Sequence, residues 1–181
     1  MKTILFATSN PIKVGEAQFA CQKYNIDVKQ IKLNLEEIQS NDPKLVSKRK
    51  VESAYLLVKK PVVVTDTSWN IPALKGFPGA YMKNVVGWLS QNDFLNLMRD
   101  KSDKRVSFIE SIFYKDSHQI KSFSKEFWGT FVEKPRGKGN SLENVVEFEG
   151  YTLGERREQG GFSHKPEDYV WIDFAKWYSS K

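Results

Sequence analysis

Residues 3 to 13 read Thr-Ile-Leu-Phe-Ala-Thr-Ser-Asn-Pro-Ile-Lys, and no other passage constrains the fold as strongly. Thr3 to Thr8 is a short apolar run suited to a buried strand. Ser9-Asn10-Pro11 breaks it. Asn10 is a good N-cap and Pro11 suits the first helical position, so a helix begins here. A buried strand feeding directly into a helix opens an α/β unit. Val14, Ala17, Cys21 and Tyr24 then recur at helical spacing, and Val28 to Leu33 alternates like a half-buried strand. Asp42-Pro43 is a second cap signal, opening a helix that runs to about Val58. Pro61 to Thr65 is a β-branched run predicted to be a central strand, with Asp66 at its C-terminal end.

The later chain reads less regularly. Gly76-Phe77-Pro78-Gly79 is a turn cluster, and residues 84 to 100 have helical character with Phe94, Leu95, Leu97 and Met98 as apolar contacts. Arg105 to Tyr114 and Gln119 to Phe131 alternate on either side of Lys115-Asp116-Ser117-His118, which predicts a long antiparallel hairpin. Pro135 to Asn140 is a basic, glycine-rich loop, and Val145 to Phe148 is a further short strand. Gly160-Gly161 precedes a final helix expected near Pro166, burying Val170, Phe174 and Trp177. There is no internal repeat or low-complexity linker. The expectation is one α/β domain over residues 1–181, built on a mixed sheet.

Composition excludes several classes. No apolar run approaches the length of a bilayer span. The apolar start is too short for a secretory signal and lacks a small-residue cleavage site. Cys21 is the only cysteine, so no internal disulfide forms, and a reducing cytoplasmic setting fits best. The net charge of +6 comes from scattered lysines without a zinc-finger, helix-turn-helix or RNA-recognition signature. Nucleic acid is therefore not the expected partner.

Four places could carry chemistry. In Thr8-Ser9-Asn10-Pro11-Ile12-Lys13 a helix N-terminus offers N–H groups and a positive dipole end to an anion. Lys13 sits in the first turn, where the dipole disfavours a cation and a bound phosphate would favour it. The bland alternative is a capped helix with a solvated lysine. Lys50 shares a helical face with Val46, Ala54 and Leu57, so it points along an inward stripe. There it either meets an anion or lays its stem on the core with its head in water. Asp66 follows a buried strand, where α/β proteins bind ligands, with Thr67 and Ser68 beside it. A turn aspartate is the ordinary alternative. Glu36-Glu37 offers a second carboxylate for magnesium, or is a solvated pair. Gly76 to Gly79 lets backbone approach a ligand, or simply turns the chain. His118 belongs to the hairpin turn and is expected in solvent.

Taken together, these passages resemble the inosine triphosphate pyrophosphatases, which remove non-standard purine nucleoside triphosphates. That family opens with a strand and Ser/Thr-x-Asn-x-x-Lys, matched by Thr8 to Lys13. Glu37 fits its loop glutamate and Lys50 its helix lysine. Its Glu-Asp-Ser/Thr strand end reads Thr65-Asp66-Thr67 here. Its Ala-Leu-x-Gly-x-Pro-Gly-x-Tyr-x-Lys motif is matched by Ala73 to Lys83. The base-binding half departs. Leu142 to Val146 stands where Phe-Gly-Trp/Tyr-Asp-Pro is usual. Ser163-His164-Lys165 matches Ser-His-Arg, but Gln159 replaces the lysine before it, and Thr65 replaces an acidic residue.

The resemblance implies an elongated mixed β-sheet flanked by helices, two lobes around a central nucleotide cleft, and usually a homodimer. It implies cleavage of a triphosphate such as that of inosine or xanthosine to a monophosphate and pyrophosphate with Mg2+. It places Glu37 and Asp66 on the metal, Asp66 and Lys13 in catalysis, and Thr8, Ser9, Asn10, Lys13, Lys50, Thr67, Ser68, Gly79, Ser163, His164 and Lys165 on the substrate. A nucleotide-binding protein that keeps the fold with weakened catalysis is the alternative.

Overall fold

The computed structural model describes residues 1–160 and 168–181. In chain order the elements are β1 (Lys2–Ala7), α1 (Pro11–Gln22), β2 (Ile26–Ile31), α2 (Pro43–Val58), β3 (Val62–Ile71) and β4 (Phe77–Gly79). There follow α3 (Met82–Trp88), α4 (Gln91–Met98), β5 (Arg105–Lys115), β6 (Ile120–Phe131), β7 (Val146–Phe148), β8 (Tyr151–Thr152), α5 (Leu153–Glu158) and α6 (Val170–Ser180). The strands form one eight-stranded sheet in the order β2-β1-β3-β5-β6-β7-β8, with β4 on β3. β1 runs parallel to β2 and β3, while β4 is antiparallel to β3 and β7 to β6 and β8. The sheet is therefore mixed, and helices flank it, as expected.

By contacts the chain falls into two compact units. The first comprises residues 1–66, 110–125 and 165–181; the second comprises 67–109 and 126–164. In the first, side chains of the sheet alternate between two cores. Ile4, Phe6, Val63, Ile112 and Tyr114 pack with Val14 and Ala17 of α1 and with Trp171 and Phe174 of α6. On the opposite face Ala7, Val62, Val64 and Phe113 pack with Val51 and Ala54 of α2. Burying each such aromatic or branched side chain contributes roughly 1.5–3 kcal/mol. The second unit has its own core of Trp69, Phe94, Met98, Phe108, Leu142, Val146, Phe148 and Leu153.

The structure corrects several expectations. β3 does not stop at Thr65 but continues to Ile71, because Trp69 and Ile71 are buried and pair with β4. Gly76 to Gly79 accordingly holds a short strand as well as turns, with positive φ at Gly76 and Gly79 and a cis Phe77–Pro78 bond. The expected helix over 84 to 100 is two. Ser90 accepts from the Asp93 backbone N–H while its own N–H donates to the Asp93 carboxylate. This Ser-x-x-Asp capping box restarts the helix and was legible in the sequence. Thr152 and Glu155 make a second box that starts α5, a helix the sequence pattern did not suggest. Leu57 is exposed, since the buried stripe of α2 runs through Val46, Ser47, Val51 and Ala54 instead. In α6, Val170 and Phe174 are buried as expected, while Trp177 is only partly covered. No helix among the described residues is long and apolar enough to cross a membrane.

Candidate phosphate-binding site

The loop from β1 to α1 is built as its residues dictate. The Asn10 side chain accepts from the Ile12 backbone N–H at 2.9 Å, and Thr8 Oγ1 accepts from Asn10 N–H at 3.1 Å. Pro11 occupies the first turn. Gln30 Nε2 donates to the Thr8 carbonyl at 3.0 Å, tying the loop to β2. Ser9 is left on the exposed rim.

Register places Asp66 beside this loop's end of the sheet. Leu5 pairs with Val62 and Phe6 with Val63, so β1 ends before the level of Asp66. Asp66 therefore lies inside β3 yet beyond the carboxyl end of its parallel neighbour β1. Ser47 of α2 donates to its Oδ2 at 3.4 Å. Ser47 is itself buried and was missed from the sequence, although a serine on an apolar helical stripe is a usable signal.

Lys13 is half-buried. Burial lowers its pKa below the usual lysine value. Asp66 opposes that shift, Lys50 adds to it, and Glu110 and Glu16 oppose it in turn. The net direction is down because desolvating an ammonium outweighs the carboxylates around it. Lys50 points inward, its side chain 17% exposed, and its Nζ stands 2.5 Å from Glu37 Oε1. The first unit thus brings Thr8, Ser9, Asn10, Lys13, Glu37, Lys50 and Asp66 into one compact body. Glu16 and Glu110 are additions. Glu16 lies one turn after Lys13 on α1, and Glu110 is a charge within an otherwise apolar alternation.

Thr67, Ser68 and Gly79 belong to the second unit. Ser68 is buried, and Gly79 pairs with Trp69 at φ +59°, a backbone state that favours glycine. The segment at the expected base end is fastened to itself. Leu142 is fully buried. Asn144 Oδ1 accepts from Gly139 N–H at 2.6 Å and its Nδ2 donates to Gln91 Oε1 at 3.2 Å. Gly137 and Gly154 touch backbone to backbone, for a Cβ on Gly137 would stand 2.0 Å from the Glu155 nitrogen. Arg136 meets Glu147 at 2.5 Å and Glu155 at 3.3 Å, and Lys138 meets Glu158 at 3.0 Å. The basic loop is thereby locally neutralised. Gln159 caps the end of α5. Ser163, His164 and Lys165 lie outside the described residues. His118 is exposed in the hairpin turn, as expected.

With this geometry in view, comparison with known proteins is decisive. A model of the Ham1 family matches residues 4–164. The chain belongs to the Ham1 family. It is 31% identical over 169 residues to a dITP/XTP pyrophosphatase of Hyperthermus butylicus, covering 91% of this chain and 89% of the relative. It is 33% identical over 162 residues to inosine triphosphate pyrophosphatase 2 of Trypanosoma cruzi, covering 86% and 82%. Among solved structures, the Ham1 protein of Coxiella burnetii superposes with a TM-score of 0.81 over 100% of both chains at 18% identity. That of Staphylococcus aureus gives 0.78 over 99% and 100% at 20% identity. These two likenesses concern the Ham1 fold.

Proposed function

We propose that this Ham1 chain is a nucleoside triphosphate pyrophosphatase acting on purine nucleotides of the inosine or xanthosine type, releasing a monophosphate and pyrophosphate. One observation carries the reading. A lysine sits in the first turn of α1, against the helix dipole and with its ammonium desolvated, with a second lysine on α2 acting on the same charge. A bound anion would offset both penalties. The names of its relatives supply the substrate class.

In this reading Lys13 and Lys50 neutralise the triphosphate, and Asp66 orients a water and takes its proton as the water oxygen bonds to phosphorus and the α–β bridging oxygen departs with pyrophosphate. Glu37 and Asp66 would hold a magnesium ion, which prefers oxygen donors and completes its shell with water and substrate phosphates. The residues fit that demand. Both are carboxylates, and among the described residues no group of three or more His, Cys, Asp or Glu gathers into a metal cage. In this reading water and substrate phosphates would complete the shell. When bound, the ion would stabilise charge developing on phosphate oxygens. Lys50 has to leave Glu37 for the substrate, since the two are paired without it. We further propose that the protein works in the cytoplasm as a homodimer.

The test is a pyrophosphate-release screen across adenosine, guanosine, inosine and xanthosine triphosphates, with and without magnesium. Magnesium-dependent release from at least one is expected. Nucleotide binding with no release would instead leave a binding protein that kept the fold.

A further inference from the structure

The last turn of α6 is fastened at the end of the sheet where β1 starts, opposite the end that carries the Asn10 loop. Lys2 Nζ donates to the carbonyls of Tyr178 and Ser179 at 3.1 and 2.8 Å, and the Tyr178 hydroxyl donates to the Thr3 carbonyl at 3.0 Å. Cations suit this place, because a helix C-terminus is the negative end of its dipole. A second lysine, Lys181 at the C-cap of α6, reaches the β5–β6 turn instead. There Asp116, 6% exposed, divides its two oxygens. Oδ1 accepts from the His118 and Gln119 N–H groups at 2.8 and 2.9 Å and so holds the turn. Oδ2 accepts from the Tyr114 hydroxyl at 2.9 Å and from the Lys181 ammonium. The ammonium also donates to the Tyr114 hydroxyl oxygen at 2.8 Å. It stands 4.6 Å from the centre of the Tyr114 ring and 5.5 Å from that of Trp177. Those two rings meet edge to face at 73°, with centroids 5.0 Å apart, and form a corner.

We propose that Tyr114, Asp116 and Trp177 form an ammonium-binding seat, filled by Lys181, that latches α6 to the β5–β6 turn and takes a free alkylammonium ion when the lysine side chain is removed. Each part of the seat answers to a positive charge with hydrogens to give. A carboxylate this far buried needs a counter-charge, and Lys181 supplies it. The faces of aromatic rings attract a cation and repel an anion. The Tyr114 hydroxyl donates its hydrogen to Asp116 and so turns a lone pair to the ammonium. A neutral group of the same size would leave Asp116 without its opposing charge. The Lys181 side chain keeps 33% of its exposure, so the seat opens to solvent. Lys2 and Tyr178 hold the same turn of α6 by separate bonds, so cutting Lys181 back leaves the seat in place. The latch stands independently of any phosphate role for Lys13.

The experiment restores the missing atoms. Lys181→Ala removes a propyl chain and its ammonium, which together are propylammonium. Melting temperature is followed for the wild type, Lys181→Ala, Lys181→Met and the double variant Lys181→Ala with Asp116→Asn. Each is titrated with propylammonium chloride, and with sodium chloride and propan-1-ol as controls. Lys181→Ala should melt about 3 °C below the wild type, and millimolar propylammonium should recover at least half of that loss saturably, as a ligand of the folded state does. Neither control should recover any of it. Lys181→Met keeps a stem in the seat without the charge, so it should lose as much and recover nothing. Asp116→Asn keeps an oxygen for the turn amides and discards the charge, so the double variant should not respond either. A Lys181→Ala protein that melts with the wild type would overturn the latch. Absence of recovery, equal recovery with propan-1-ol, or an equal response in the wild type, the methionine variant or the double variant would overturn the ammonium seat.

Discussion

The 135–159 region of the second unit and the Lys13 cluster of the first handle polar residues in opposite ways. In the second, polar side chains of the 135–159 region hold their own backbone together. Asn144 bridges a loop amide and Gln91, Glu143 accepts from Asn140 N–H at 3.0 Å, and Arg136 joins two glutamates. In the first, Lys13, Glu16, Lys50, Asp66 and Glu110 set charge against charge in a partly desolvated place, without any loop architecture needing it. Polar groups that close a loop explain themselves through folding. Charges brought together at the end of a parallel sheet call for a ligand. That difference favours the first unit for the proposed chemistry and a structural role for the 135–159 region.

Four measurements test that contrast. The largest effect is expected from Asp66→Asn, which should lower pyrophosphate release by at least a thousandfold while nucleotide binding survives. An amide has nearly the same shape but neither takes a proton nor binds magnesium well. Activity near wild type at saturating magnesium would move the chemistry away from the first unit.

Next comes Gly154→Ala in the scaffold. The new methyl would stand 2.2 Å from Asn144 Oδ1 and 2.7 Å from the Arg136 carbonyl. Overpacking against backbone should cost about 3 kcal/mol in chemical denaturation. An unchanged midpoint would mean that the loop is not held as described.

Lys13→Ala should weaken nucleotide binding about thirtyfold, which is about 2 kcal/mol, with far-ultraviolet circular dichroism unchanged. Unaltered affinity would remove the phosphate loop from the first unit's role.

The smallest effect is selectivity. Leu142 and Phe148 are buried and Asn144 is committed, so none of them can stack on a base without rearrangement. Tyr151 is the exposed aromatic of that segment. Base stacking is worth about 1–3 kcal/mol. We expect inosine and xanthosine triphosphates to be favoured over adenosine and guanosine triphosphates by only about tenfold in kcat/KM. A preference of a hundredfold or more would show the scaffold reading the base.

The sequence made the first unit legible because its signals are local. Asn10-Pro11 and Asp42-Pro43 start helices through contacts with their own next residues, at 2.9 Å in both cases. β1, the start of β3 and residues 112–114 of β5 are largely buried on both faces and read as apolar runs, while β2 alternates. What escaped depends on partners outside the segment itself. β3 continues past Asp66 because β4 pairs with it, which the composition of residues 66–71 alone does not disclose. Glu110 and Ser47 join the cluster only when β5 and α2 are placed against the sheet. The break between α3 and α4 is a different failure. Its capping box is local and readable, but the apolar spacing of residues 84 to 98 outweighed it.

Lys13 also bears on how much stability this chain gives up. A cation opposing a helix dipole, stripped of water, works against the folded state in the absence of its ligand. Lys13→Met keeps the stem and discards the charge, so the variant should melt several degrees above the wild type while losing affinity. The wild type should recover that deficit on adding tripolyphosphate and the variant should not, because a ligand stabilises only the fold that binds it. Those two outcomes together would mark the position as a trade of robustness for activity. A lineage released from the need to bind phosphate would be expected to lose this lysine early and become the sturdier for it.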